Sequence, residues 1–171
     1  VQSWSTTQLG ALTSKQLAGL TTTSLADFTD TQLGSLTSTQ LRGLTTTQLN
    51  SMADTQLNAI TVTDLSTTQI KGMTTTALAA LSTTQAQSLT ATQIGQLSAA
   101  GLEALSSDEI QGWNSTQLAA VTSRQLAGLT TTGLADFETT QLGSLSSTQV
   151  RGLTTAQLNT LATTQLNALN V

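Results

Sequence analysis

From Ser5 onward one phrase, hydroxyl-x-x-Gln-Leu-x-small-Leu, restarts every eight residues almost to the last residue of the chain. A period of eight excludes most conformations. Apolar residues alternate at spacings of three and five, as Leu9, Leu12, Leu17 and Leu20 do. A strand with those odd spacings would put Leu9 and Leu12 on opposite faces. A single long helix turns by about 100° per residue, so each octad would rotate the apolar seam by roughly 80° and leave no continuous face. What remains is one short helix per octad, restarted each time.

The octads begin at Ser5, Thr13, Thr21, Thr29, Thr37, Thr45 and Ala53, resume at Ser66 after a break, and run to Ala162, which makes 20. Position 1 is Ser, Thr or Asn in 17 of them, failing at Ala53, Glu138 and Ala162; position 4 is Gln or Glu in 16, failing at Ser24, Ala77, Gly101 and Gly133. A hydroxyl followed three residues later by Gln is the capping box. The hydroxyl accepts from the backbone N–H of position 4, and the Gln side chain reaches back to the N–H of position 1. Thr13 with Gln16, Thr37 with Gln40, Thr45 with Gln48 and Thr122 with Gln125 are therefore expected to cap helices. Positions 5 and 8 lie about one turn apart on one face. They supply the expected core: Leu9, Leu12, Leu17, Leu20, Phe28, Leu33, Leu36, Trp113 and Phe137. Position 7 is mostly small, which suits close backbone approach or a glycine-type helix end.

A helix this short is marginal alone in water, so each must bury positions 5 and 8 against its neighbours, which is the logic of a solenoid. The sequence thus predicts an all-α solenoid, a rod or tube of about twenty short capped helices, one per octad. The alternative is a Thr/Gln-rich β-solenoid.

A longer repeat overlies the octads. Residues 1–62 match residues 110–171 at 44 of 62 positions, an offset of 109, with "TSKQLAGLTTTSLADF" facing "TSRQLAGLTTTGLADF". The odd number comes from a phase break at 61–65, where "TVTDL" reads as positions 1 to 5 of an octad that then stops. On that reading Thr61 is the cap, Asp64 stands where Gln is usual, Leu65 is position 5, and the position-8 anchor is missing. A local kink or a change of superhelical phase is expected there. The chain is read as a single continuous array over 1–171, with one full super-repeat at 1–109 and a partial second at 110–171, cut from a longer tandem.

"LTTTQL" phrases such as Leu44 to Leu49 resemble the Leu-Thr-Thr-x-Gln octapeptide arrays of very large bacterial surface and adhesin-like proteins. The likeness runs from Ser5 to Leu169. It implies an extracellular or cell-surface location and a stalk-like or filamentous role. The tandem and the weakly charged composition lead to the same expectation, a self-assembling structural segment of a filament, stalk or tube. Its partner would be itself, or neighbouring repeats of the same chain. The alternative is a surface binding module that offers a regular Thr array to ice or a polysaccharide.

No enzymatic activity and no cofactor are expected. The chain has no His and no Cys, so the usual nucleophile–base pairs are unavailable. A net charge of −4 with five scattered basic residues gives no electrostatic reason to bind nucleic acid. No apolar run reaches the roughly 20 residues that span a bilayer, so membrane insertion is not expected. Asp27 and Asp136 are weak metal candidates, because a hard cation wants several convergent oxygens. The adjacent carboxylates Asp108 and Glu109 read as a helix first turn, and the acceptor motif Asn114-Ser115-Thr116 as an N-cap rather than a glycan site.

Overall fold

A computed structural model describes residues 4–169. The chain is an all-α solenoid: 20 α-helices of four to six residues and one 3-10 turn, with no strand among the described residues. It divides into two compact units, Val1–Ser88 and Leu89–Val171. The boundary falls inside the octad that begins at Ser82.

Each octad folds for the same local reason. At all 17 Ser, Thr or Asn starts the side chain accepts the backbone N–H three residues on. The cap residue is extended, as at Thr45 with φ −78° and ψ 156°. Its own carbonyl accepts the first helical bond, from the Leu49 N–H at 3.0 Å. After about one turn the N–H of position 8 donates to the carbonyl of position 5, as Leu20 does to Leu17 at 3.1 Å, and the chain extends into the next cap. Ala53, Glu138 and Ala162 make no side-chain cap. There only half the box survives, with Gln56 Oε1 accepting the Ala53 N–H at 3.2 Å.

Within each unit the helices pack on those three octads away, for example Ser14–Ala18 on Ser38–Leu41 in the first and Ser123–Gly128 on Ser147–Val150 in the second. Positions 5 and 8 form the core, with Leu17, Leu33 and Leu49 wholly buried. At about 1.5–3 kcal/mol per buried Leu, this stripe stabilises helices too short to persist alone.

At Gly43, Gly72, Gly128 and Gly152 the position-7 glycine is there for space, not for a left-handed helix end. Among the described residues none has positive φ, so the expected glycine-type termination does not occur. A Cβ on Gly43 would lie 2.5 Å from Ser14 Cβ, and one on Gly152 would lie 2.6 Å from Ser123 Cβ. The turns stack too closely there for any larger residue.

The break at 61–65 is the other departure. Val62–Asp64 form a 3-10 turn, and Val62 and Leu65 are both buried. Leu65 directly precedes the cap Ser66, so it is a position-8 residue, and Val62 takes position 5. The anchor expected to be lost is present. What is missing is positions 1 to 3, the cap and first turn. A cross-turn bond confirms the register. Position-6 side chains donate to position-7 carbonyls three places on, as Asn50 Nδ2 does to the Gly72 oxygen at 2.9 Å. Arg42 Nε makes the same bond to the Asp64 oxygen at 3.1 Å, so Asp64 holds position 7. The short segment thus fills one full place in the winding with three fewer residues.

Candidate functional site: the glutamine ladder

The capping boxes are as tight as the spacing predicts: the N–H groups of Thr13, Thr45 and Thr122 donate to Gln16, Gln48 and Gln125 Oε1 at 2.8, 2.8 and 2.7 Å. Thr37 does the same to Gln40 at 3.0 Å. Capping uses only the Gln oxygen. The amide nitrogen has a second task that the octad pattern alone did not reveal. Gln48 Nε2 donates to the carbonyls of Leu17 and Leu20, both at 2.8 Å. Gln40 does so to Leu9 and Leu12 at 2.8 and 2.9 Å. In the second unit Gln125 donates to Ile94 and Leu97, and Gln157 to Leu126 and Leu129, at 2.7–2.8 Å.

Each such Gln therefore joins its own cap to positions 5 and 8 of the octad four places earlier. The register survives the short segment: Gln69 donates to Leu41 and Leu44, 28 and 25 residues back, where Gln48 reaches 31 and 28. These amides are buried, yet among the described residues no buried side-chain N or O lacks a partner. A signal for this ladder was in the sequence. A capping box works with Glu or Gln, but position 4 is Gln in 15 octads and Glu in one. Only Gln can accept from a cap and donate to two carbonyls at once. Glu109 is the exception, its Oε2 accepting the Ser106 N–H at 2.7 Å.

At two of the octads where position 4 is neither Gln nor Glu, a position-6 side chain from the octad four places earlier accepts the cap N–H instead. Ala77 leaves the Thr74 N–H to Asn50 Oδ1 at 2.9 Å. Gly133 leaves the Thr130 N–H to Glu103 Oε1, and a Cβ on Gly133 would lie only 2.7 Å from that oxygen.

The remaining predicted residues are placed as follows. Leu9, Leu17, Phe28, Leu33, Leu36, Trp113 and Phe137 are buried. Leu12 and Leu20 are half-buried, since no earlier turn among the described residues packs beneath them. Asp27 and Asp136 follow the last helical residue of their octads. Among the described residues no three His, Cys, Asp or Glu gather as a metal site. Asn114 caps its helix, Oδ1 accepting from the N–H groups of Thr116 and Gln117 at 2.9 and 3.1 Å. No helix among the described residues is long and apolar enough to cross a membrane.

No curated protein and no solved structure matches the chain. A family model for the ALTTAQ repeat matches residues 134–171. With that match, the recurring octads and the turn-to-turn glutamine ladder, the chain is a tandem-repeat protein built as a helical solenoid.

Proposed function

We propose that the chain is a structural segment of an extracellular filament, stalk or tube, self-assembling and without enzymatic activity. The observation that carries this reading is the ladder. Wherever position 4 is a laddered Gln such as Gln48 or Gln125, it satisfies two carbonyls of one octad in the preceding turn, so a turn is a template for the next and stability grows by nearest-neighbour addition. Conserving the cap-and-donate geometry in octad after octad suits a chain whose product is length. The surface fits that role, with only 8% charged residues and many small polar side chains. The resemblance to bacterial surface arrays supports the location.

Negative-stain electron microscopy and sedimentation velocity over a range of protein concentrations test it. Uniform fibres or concentration-dependent oligomers are the expected result. A chain that stays monomeric at every concentration and shapes ice crystals would overturn the reading in favour of a hydroxyl-array binding module.

A further inference from the structure

Asn114 stands apart from the other caps. Of the 17 octad starts that carry Ser, Thr or Asn, it is the one Asn. The equivalent place 109 residues earlier is Ser5, which caps its helix with a hydroxyl, so capping alone does not call for Asn. Asn114-Ser115-Thr116 is also the one Asn-x-Ser/Thr triplet in the chain, the acceptor pattern for N-linked sugars. On sequence alone cap and acceptor compete; in the structure they use different atoms. The cap takes only Oδ1, which accepts from the N–H groups of Thr116 and Gln117. Nδ2 donates to nothing among the described residues. Asn50 and Asn58, by contrast, spend Nδ2 on the carbonyls of Gly72 and Ala80 at 2.9 and 3.1 Å. Asn114, Ser115 and Thr116 are all exposed, between the buried Trp113 and Gln117 that anchor the triplet at either end.

We propose that Asn114 is a glycosylation acceptor that takes its sugar from a glycosyl diphosphate donor. In the transfer Nδ2 bonds to the anomeric carbon of the sugar. The bond from that carbon to the diphosphate oxygen breaks, the diphosphate leaves with the bonding electrons, and Nδ2 gives one proton to a base on the transferase. The product is still an amide and its Oδ1 is untouched, so the cap survives modification. The sugar then projects from an exposed edge of the octad, where it is bulky and solubilising. Nucleotide sugars and polyprenyl-diphosphate sugars present this same leaving group. The inference goes beyond the structural role and does not depend on assembly.

Two transferases that act on Asn-x-Ser/Thr test it on the folded 171-residue chain, one fed a nucleotide sugar and the other a polyprenyl-diphosphate oligosaccharide. A peptide of residues 110–120 is run beside the chain, and mass mapping locates the product. One glycan per chain at Asn114, from at least one of the donors, is expected, with Tm unchanged by the addition. Asn114→Asp keeps the capping oxygen and Thr116→Ala keeps the whole cap; both are expected to abolish the addition without lowering Tm, while Thr116→Ser retains it. The proposal is overturned if neither donor modifies the folded chain, if the peptide alone is modified, or if the sugar is found on another residue. Modification of Thr116→Ala at the parent's level, or a fall in Tm on glycosylation, also overturns it. Fibre formation by the unmodified chain bears only on the assembly reading, so the two can fail separately.

Discussion

Thr13–Leu17 and Thr45–Leu49 have nearly the same sequence, "TSKQL" and "TTTQL", and the same capping box, with cap N–H to Gln oxygen at 2.8 Å in both. Their glutamines nevertheless live in different surroundings. Gln16 is exposed, whereas Gln48 is 2% exposed and joined to two carbonyls of the turn beneath. The box is local chemistry and forms in either place. The ladder is tertiary and needs a preceding turn.

The largest effect should not distinguish the two places. Leu17 and Leu49 are both fully buried, so Leu17→Asp and Leu49→Asp should each cost about 4 kcal/mol or more by burying an unpaired charge. Hydrogen exchange should show the loss confined to neighbouring octads. A difference of several kcal/mol between them, or a cooperative collapse of the whole chain, would break the comparison.

The glutamines should differ sharply. Gln48→Glu keeps the acceptor for the cap but leaves two carbonyls without a donor, a cost of about 2–3 kcal/mol. Gln16→Glu should change stability by less than about 0.5 kcal/mol. Urea denaturation of the two variants measures this, and equal effects would refute the ladder as a stabilising feature.

The short segment extends the contrast to register. Inserting Ser-Thr-Thr between Ile60 and Thr61, with Thr61→Gln, completes an octad and should stay within about 0.5 kcal/mol of the parent. Three residues inserted after Leu65 separate the buried anchor from the Ser66 cap. That should cost about 2 kcal/mol by disturbing both the cap and the core. Thermal melts of both insertions decide which positions the segment lacks.

Caps should again be indifferent to place: Thr13→Ala and Thr45→Ala are each expected to cost about 1 kcal/mol. The smallest contrast concerns the substitute acceptors. Asn58 Oδ1 shares the Ser82 N–H with Gln85 Oε1, while Ala77 gives Thr74 no such second acceptor. Asn50→Ala should therefore cost about 1 kcal/mol and Asn58→Ala roughly half of that. The amide exchange rates of Thr74 and Ser82 provide the readout.

What the sequence alone determined was everything that acts over three or four residues. Thr45 and Gln48 specify a helix start wherever they occur, because cap and box close within one turn of backbone, and Leu49 and Met52 follow on one face by the same geometry. The fold class and the core stripe were legible for that reason. Tertiary structure decided whatever links residues 22 to 31 apart. It set the number of octads between stacked turns, the two carbonyls each Gln nitrogen finds, and the close approach that requires Gly43. It also set the true phase of 61–65. "TVTDL" fits the octad pattern in two registers, and only the Arg42 bond to the Asp64 carbonyl and the burial of Val62 with Leu65 select one. A periodic sequence repeats its local instructions without stating which turn meets which. That choice is made where side chains from successive turns compete for the same space and the same unpaired carbonyls.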